Sequence, residues 1–363
     1  MPVSRKKKKL RSGFTTGACA AAAAKTATLL LLGRENGQVE IPFPGGDRHT
    51  FISSKRILQD GQASASVIKD AGDDPDVTNG AEITALVSML PDTHGRERIH
   101  LAGGAGVGTV TKPGLPVAVG EPAINPVPQE MIRQAVGEAV DEAGVVLSSP
   151  LQVTIGVVDG ELLAEKTLNA RLGIMGGLSI LGTTGIVRPV SARAWTDTIE
   201  ASMKVARAVG LQEVILSTGR TSEAAVQQRL QMPEEAQVMM GDYLAYALKA
   251  AARQGFSRIY LSGMWAKVLK CALGIPQTHV RHGALEVQHA ADLLKKLGLA
   301  AQEANALAGC NTAREIYQRL RSAGRFDLIE AVCLQARQYA EKRSGLPVEV
   351  FLVTSEDGVV AHV

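Results

Sequence analysis

Short apolar segments alternate with helical segments through the second half of this 363-residue chain, and this alternation constrains the fold most strongly. The segments "EVILS", "AQVMM" and "SRIYLS" begin at residues 213, 236 and 257. Each is followed by a stretch with helical spacing of its apolar residues, and the first of these helices is expected to end at Leu230. Buried parallel strands form continuous apolar runs, and helices connect them. The pattern predicts a parallel, doubly wound α/β sheet from about residue 175 onward.

Loops rich in glycine and small polar residues follow these strands. They are "GTTG" at residues 182–185, "STGRTSE" at 217–223, "MGD" at 240–242 and "SGMWAK" at 262–267. In parallel α/β sheets, ligands bind beyond the carboxyl ends of the strands, and Asp242 is suited to accept hydrogen bonds from a ribose. Turns and helix caps also need Gly, Ser and Asp, so one such loop carries little weight. Four in succession favour a nucleoside-type ligand.

The first half predicts an α+β domain that opens with an alanine-rich helix at residues 18–27. Thr15 and Thr16 are suited to cap this helix, and Gly17 lets the chain turn tightly. The helix N-terminus carries unpaired N–H groups and partial positive charge, so small side chains there could leave it open to a ligand. The alternative is a capped helix whose alanines simply pack closely on a sheet.

Further elements follow from local patterns in the first half. Strands are expected at residues 63–69 and 81–89, and "LQVTIGVVDGELLAEKTL" predicts a hairpin because Asp-Gly separates two apolar stretches. The glycines of "GGAGVG", residues 103–108, are followed by "TVTKPG", which cannot open a helix. A dinucleotide-binding turn is therefore disfavoured, and a close-packed glycine-rich strand is expected instead.

Metal and disulfide frameworks are disfavoured by spacing. The four cysteines are far apart and form no CxxC pair: Cys19, Cys271, Cys310 and Cys333. The acidic turn "KDAGDDPDVTNG" lacks EF-hand spacing, and either a solvated turn or a functional carboxylate loop fits it. His279 and His282 have no third ligand nearby, so a zinc site is disfavoured.

Charge and hydropathy disfavour nucleic-acid and membrane partners, and the four separated cysteines fit a reducing cytoplasm. The net charge is only +3, and much of it comes from "RKKKKLR" at residues 5–11, which is typical of a solvated tail or of steering toward a polyanion. No apolar stretch is long enough to span a bilayer. A homo-oligomer is compatible with the sequence.

Several motifs together resemble one family. "RSGFTTGACAAAAAK", "KDAGDDPDVTNG", "GGAGVGTVTKPGLPVAVGEPAINPVP", "GIMGGLSILGTTGIVRPVS" and "STGRTSE" resemble, in this order, the cobalt-precorrin-5B C1-methyltransferases (CbiD) of anaerobic cobalamin biosynthesis. The resemblance implies methyl transfer from S-adenosylmethionine to carbon 1 of a cobalt-corrinoid rich in carboxylates. It implies cobalt only as part of the substrate and no metal held by the protein.

One loop departs from the pattern. Family members often have Gly-His-Ile-Gly-Lys after the fourth strand of the second domain, whereas this chain has "GMWAK". Met264 replaces the histidine, Ala266 replaces the second glycine, and Lys267 is kept. The resemblance therefore leaves open whether that histidine has a role that another group supplies here.

The motif and the resemblance together give a set of expected site residues and domains. The expected domains are an α+β domain at residues 1–174, a Rossmann-like α/β domain at 175–300 and a helical region with a terminal hairpin at 301–363. The macrocycle is expected in a cleft against the first domain. Candidate catalytic carboxylates are Asp74 and Asp76; candidate substrate contacts are Thr15, Thr16, Gly17, Lys112 and Arg188; candidate donor contacts are Thr183, Gly185, Thr218, Gly219, Arg220, Gly241, Asp242, Gly263 and Lys267.

Two other functions remain as alternatives. A corrinoid carrier would bind the macrocycle without binding S-adenosylmethionine. A nicotinamide-dependent oxidoreductase is disfavoured by the lack of a GxGxxG turn that opens a helix.

Overall fold

The computed structural model describes residues 10–91, 98–278 and 287–363. The chain forms two compact units, here called unit 1 and unit 2, which divide between Ser191 and Ala192. His279, His282 and most of the basic stretch at residues 5–11 lie outside the described residues. The finer division into three domains, at residues 174 and 300, stays a prediction.

Unit 1 is an α+β unit in which several short strands surround two longer helices. Its elements are β1 (Gly13–Phe14), α1 (Thr16–Leu31), β2 (Gln38–Pro42), β3 (Arg48–Ile52), β4 (Lys55–Gln59), β5 (Gln62–Ile68), β6 (Glu82–Met89), β7 (Ile99–Gly103), β8 (Thr109–Val110), α2 (Pro126–Ala143), β9 (Leu151–Val157), α3 (Gly160–Ala164), β10 (Ile174–Met175) and β11 (Ile186–Val187).

The alanine-rich helix α1 lies at the centre of unit 1. It packs on strands β5 and β6 and against α2, and every residue from Thr16 to Leu30 is buried. Alanine side chains let a helix approach its neighbours closely, which explains the composition of this segment. The sheet has the order β4-β5-β6-β9-β7, antiparallel except for the parallel pair β7–β9. The predicted opening helix and the strands at residues 63–69 and 81–89 are confirmed.

The hairpin predicted from "LQVTIGVVDGELLAEKTL" is wrong. Strand β9 ends at Val157, Asp159 takes a left-handed conformation (φ 54°), and the short helix α3 follows at Gly160. The reason is tertiary: β9 already has β6 on one side and β7 on the other, so no edge remains for a returning strand.

Glycines of "GGAGVG" lie where three backbone segments cross. A Cβ on Gly106 would come within 2.0 Å of the Val157 carbonyl oxygen, and Gly106 has a φ of +73°. Gly160 and Gly177 in turn approach the Gly106 carbonyl oxygen so closely that added Cβ atoms would lie 2.2 and 2.3 Å from it. The expected close packing is therefore confirmed, but the expected strand is wrong, because β7 ends at Gly103 and a turn follows at residues 105–106.

Unit 2 alternates strands and helices. Its elements are α4 (Ala192–Ala208), β12 (Glu213–Ser217), α5 (Arg220–Leu230), a 3₁₀ turn (Glu234–Ala236), β13 (Gln237–Met239), α6 (Leu244–Arg253), β14 (Arg258–Met264), α7 (Trp265–Ala272), α8 (Val287–Lys296), α9 (Ala301–Ala308), α10 (Ala313–Ser322), α11 (Phe326–Ser344), β15 (Val348–Thr354) and β16 (Gly358–His362).

The sheet of unit 2 has the order β13-β12-β14-β15-β16. Strands β12 to β15 run parallel, and β15 and β16 form an antiparallel hairpin at the chain's end. The first strand of the unit thus lies between the second and the third. Both the parallel sheet and the terminal hairpin predicted from the sequence are confirmed.

Candidate functional site

The topology of unit 2 indicates where a ligand would bind. A doubly wound sheet has a crevice where the strand order reverses, outside the carboxyl ends of the strands. Here the reversal lies between β12 and β14, which lead into helices α5 and α7. The predicted loops after these strands are therefore neighbours at one edge of the sheet.

A cavity of about 560 Å³ lies at this edge. Its lining comes from residues 218–222 after β12, residues 264–267 after β14, residues 353–356 at the end of β15, and one face of α10. The α10 face consists of Arg314, Tyr317, Gln318 and Arg321, which follow helical spacing. The volume falls within the range of small-molecule sites.

Gly219 leaves this cavity open at the start of α5. Its backbone is extended (φ 176°), and a Cβ added there would meet no atom within 4 Å. Neither backbone conformation nor packing within the described chain therefore requires a glycine at this position. A ligand that approaches the backbone closely would require one.

Gly263 and Gly241, also predicted as donor contacts, have packing roles. A Cβ on Gly263 would lie 3.2 Å from the Thr218 hydroxyl and 3.4 Å from Cβ of Lys267, so its absence lets the two loops meet. Gly241 has a φ of +56° and packs near the ring of Trp195. Neither glycine lines the large cavity.

The cavity lining is rich in cations. Arg314 pairs with Glu356 at 3.1 Å, and Arg321 pairs with Asp357 at 2.5 Å. Arg220 is exposed and makes no ion pair with any residue of the described ranges. An exposed guanidinium at a cavity rim suits a carboxylate, which it can bind through two parallel hydrogen bonds.

Asp242 lies outside the cavity lining and is engaged elsewhere. Its carboxylate pairs with Lys267 and accepts a hydrogen bond from the Thr278 hydroxyl at 2.8 Å. Lys270 donates to the Thr278 carbonyl oxygen at 2.7 Å, and burial together with the charge of Lys267 lowers its pKa. The geometry gives Asp242 the role of fixing Lys267, which does line the cavity.

Comparisons with known proteins match parts of both units. A family model described as CbiD matches residues 3–189, and one described as the CbiD C-terminal domain matches residues 277–363. A cobalt-precorrin-5B C(1)-methyltransferase from Desulfotalea psychrophila is 55% identical over 98% of both chains. This chain belongs to the CbiD family.

Other members are also similar. A protein of the same name from Geobacter metallireducens is 48% identical, over 97% of this chain and 98% of its own. A crystal structure of a cobalamin biosynthesis protein (CbiD) from Archaeoglobus fulgidus is 29% identical, with 72% of this chain and 79% of that chain covered and a TM-score of 0.40.

The opening motif of this CbiD member is buried in unit 1. The Thr15 side chain caps α1 by accepting the Ala18 N–H, and the Thr16 hydroxyl accepts the N–H of Leu181 at 2.9 Å. The Gly17 N–H donates to the Leu181 carbonyl oxygen. The predicted cap is therefore confirmed, but the geometry gives no support to an open helix end. A direct substrate contact by Thr15, Thr16 or Gly17 stays a prediction without geometric support.

The "GTTG" loop also belongs to unit 1, so its expected place at a strand end of the parallel sheet is wrong. Gly182 (φ +128°) packs against Thr15, and Gly185 (φ +78°) packs against the ring of Phe43. The exposed Thr183 lies between them. Residues 182–185 are glycines and threonines, so their sequence resembles a loop between a strand and a helix of the parallel sheet. In the structure they contact the N-terminal end of α1.

The two candidate catalytic carboxylates hold loops. Asp74 accepts the N–H of Val190 at 2.8 Å, and Val190 has a φ of +55°, which is costly for a β-branched residue. Asp76 accepts from Lys69 at 2.6 Å and from both the N–H and the hydroxyl of Thr78. Burial opposes the charge of Asp76, but these bonds outweigh burial and lower its pKa.

We expect Asp76→Asn to destabilise unit 1 by roughly 3 kcal/mol, because it leaves Lys69, which is 2% exposed, without its carboxylate partner. The folded-state pKa of Asp76 lies below its unfolded value. Its contribution is therefore complete above the unfolded pKa and is lost as pH falls through the folded pKa. Urea unfolding at pH 7 measures the loss of stability, and urea unfolding in acid measures its pH dependence. A variant that equals the wild type at pH 7 would contradict this role.

Lys112 and Arg188 lie on surface loops of unit 1. The aliphatic stem of Lys112 packs over Gly173, where an added Cβ would lie 2.4 Å from it. Arg188 is exposed and follows strand β11. These positions do not assign a role to either side chain, so both stay candidate substrate contacts.

Within the described ranges, no group of three His, Cys, Asp or Glu side chains could hold a metal ion. No helix among those same residues is long and apolar enough to cross a membrane. All four cysteines are free and buried.

Sequence reasoning missed the α10 side of the cavity and Glu356. Arg314, Tyr317 and Arg321 repeat at helical spacing, but so do the polar faces of most surface helices. Only the return of β15 beside β14 brings "TSED" to the same edge as "STGR". Met264 and Ala266, the two residues at which the loop differs from the family pattern, both line this cavity, together with the buried Trp265.

Proposed function

We propose that this chain is a cobalt-precorrin-5B C(1)-methyltransferase that uses S-adenosylmethionine as the methyl donor. The observation that carries the proposal is the 55% identity, over 98% of both chains, to a relative of that name. A similarity of this extent spans both units of the chain.

The donor site is proposed to be the cavity at the carboxyl edge of the unit 2 sheet. Its place at the reversal of strand order, its volume and the open space at Gly219 support this assignment. Thr218, Gly219, Arg220 and Lys267, four of the expected donor contacts, line it. The Arg220 guanidinium would bind the donor's α-carboxylate.

The chemistry requires little acid–base work from the protein. Ring carbon 1 supplies an electron pair and forms a bond to the methyl carbon. The methyl–sulfur bond breaks, its electron pair stays on sulfur, and the positive charge passes from sulfur to the methylated macrocycle. Alignment of the two reactants in a water-poor site accounts for most of the rate enhancement. The cobalt arrives within the substrate.

Carboxylates on the corrinoid need cationic partners, and Arg188 and Lys112 are the proposed ones in unit 1. Thr15, Thr16 and Gly17 support Arg188 indirectly, because they hold Leu181 and Gly185, which precede strand β11 and Arg188 in the chain. Asp74 and Asp76 act as loop anchors and carry no proposed proton transfer.

The protein is proposed to work in the cytoplasm. Burial raises the pKa values of Cys19, Cys271 and Cys333 to about 12, so these thiols stay protonated. Buried, unpaired thiols are typical of proteins from reducing compartments.

The test is anaerobic incubation of the purified protein with cobalt-precorrin-5B and methyl-labelled S-adenosylmethionine. Mass analysis should find one added methyl group on the corrinoid and one equivalent of S-adenosylhomocysteine. Retention of unmethylated corrinoid by the protein, with no consumption of S-adenosylmethionine, would indicate a carrier and contradict the proposal.

A further inference from the structure

Glu356 is the one acidic side chain among the described residues that line the cavity. It follows strand β15, and its side chain is 60% exposed. The turn that carries it is held by a hydrogen bond from the Asp357 N–H to the Thr354 hydroxyl at 3.0 Å, and Thr354 is buried. The carboxylate is thus presented to the cavity by an ordered turn.

We propose that Glu356, and not Asp242, is the residue that accepts hydrogen bonds from the ribose hydroxyls of the donor. This inference rests on the proposed function, because it assumes a nucleoside sulfonium in the cavity. Asp242 is outside the lining and already accepts from Lys267 and Thr278. Among the described residues, Glu356 has only Arg314 as an ion-pair and hydrogen-bond partner, so lone pairs remain for a diol.

The charges that line the cavity favour a neutral diol, and not one of the donor's cationic groups, as the binding partner of Glu356. Arg220, Lys267, Arg314 and Arg321 contribute four cations against the single carboxylate of Glu356. Arg314, 3.1 Å from that carboxylate, carries a positive charge that opposes the approach of an ammonium or sulfonium group. A hydroxyl donor still gains a charge-assisted hydrogen bond to a carboxylate acceptor.

The proposed placement also orders the ligand along the cavity. Arg220, at the start of α5, would bind the carboxylate end, and Glu356, at the end of β15, would bind the ribose. Between these strands lies β14 with Met264 at its end, and Met264 is 43% exposed. The sulfur of the donor would then lie near the middle of the edge.

The experiment measures binding of S-adenosylmethionine and its 2′-deoxy and 3′-deoxy analogues by calorimetry, to the full-length wild type, Glu356→Ala and Asp357→Ala. Asp357 is the matched control, since it is adjacent, exposed and paired with an arginine but does not line the cavity. The wild type and Asp357→Ala should bind at least one deoxy analogue roughly 10- to 100-fold more weakly than S-adenosylmethionine. Glu356→Ala should discriminate less than about threefold.

Three results would overturn the inference. Undiminished discrimination in Glu356→Ala would show that another group contacts the ribose. An equal loss of affinity for all three ligands in that variant would mean that Glu356 acts on another part of the donor. Absence of saturable S-adenosylmethionine binding to the wild type would overturn the donor site itself, and with it the proposed function.

Discussion

Gly219→Leu is expected to weaken S-adenosylmethionine binding by roughly 100-fold or more, equivalent to about 2.8 kcal/mol, while the protein keeps its thermal midpoint. The fold should tolerate the change, because the backbone at Gly219 is extended and an added Cβ meets no atom within 4 Å. The leucine side chain would instead occupy the mouth of the cavity, where the donor is proposed to lie. Calorimetry and a thermal melt on the same preparation measure both quantities.

The matched control is Gly137→Leu. Gly137 lies on α2 of unit 1, and an added Cβ there also meets no atom within 4 Å. This variant should bind the donor as the wild type does. Wild-type affinity in Gly219→Leu, with an unchanged melt, would show that the donor binds elsewhere.

The second large effect concerns stability. We expect Gly106→Ala to destabilise unit 1 by more than about 4 kcal/mol, which would leave much of the protein insoluble. The added Cβ would lie 2.0 Å from the Val157 carbonyl oxygen, and this backbone cannot withdraw because Gly160 and Gly177 pack against Gly106 itself. Yield in the soluble fraction and urea unfolding measure the loss.

Gly120→Ala is the control that separates the steric clash of an added Cβ from the strain of a left-handed backbone conformation. Gly120 has a φ of +93°, close to that of Gly106, but open space surrounds it. Its replacement should destabilise by only about 1–2 kcal/mol, the strain of a left-handed residue. If Gly106→Ala and Gly120→Ala lose the same free energy of unfolding, the close contacts of Gly106 with neighbouring backbone are not the reason that a glycine is needed there.

Local patterns predicted the parallel sheet of unit 2 well, because each strand there is a continuous apolar run and each following helix has its own helical spacing of apolar residues. Helix α5 ends at Leu230, as expected from the sequence, and β14 ends directly before Trp265. The Asp-Gly signal at residues 159–160 is equally clear but led to a wrong hairpin. A hairpin can form there only if β9 has a free edge. Strands β6 and β7 occupy both edges, and they are too far from β9 in the sequence for a local pattern to show this.

The site could be predicted only in part, for a related physical reason. Capping by Thr15 followed from residue type, but whether the helix end is open depends on Leu181 and Gly185, some 165 residues away. The loops after β12 and β14 were found because adjacent parallel strands end at one edge. Glu356 and the α10 face were missed, because only the placement of β15 brings them to that edge.

Photo-cross-linking of methyl-tritiated S-adenosylmethionine to the full-length protein, followed by proteolysis and mass spectrometry, tests the donor site most directly. The label should fall on peptides that contain residues 218–222, 264–267 or 314–321, and Gly219→Leu should abolish it. Label confined to residues 10–191, with none on these peptides, would contradict the account.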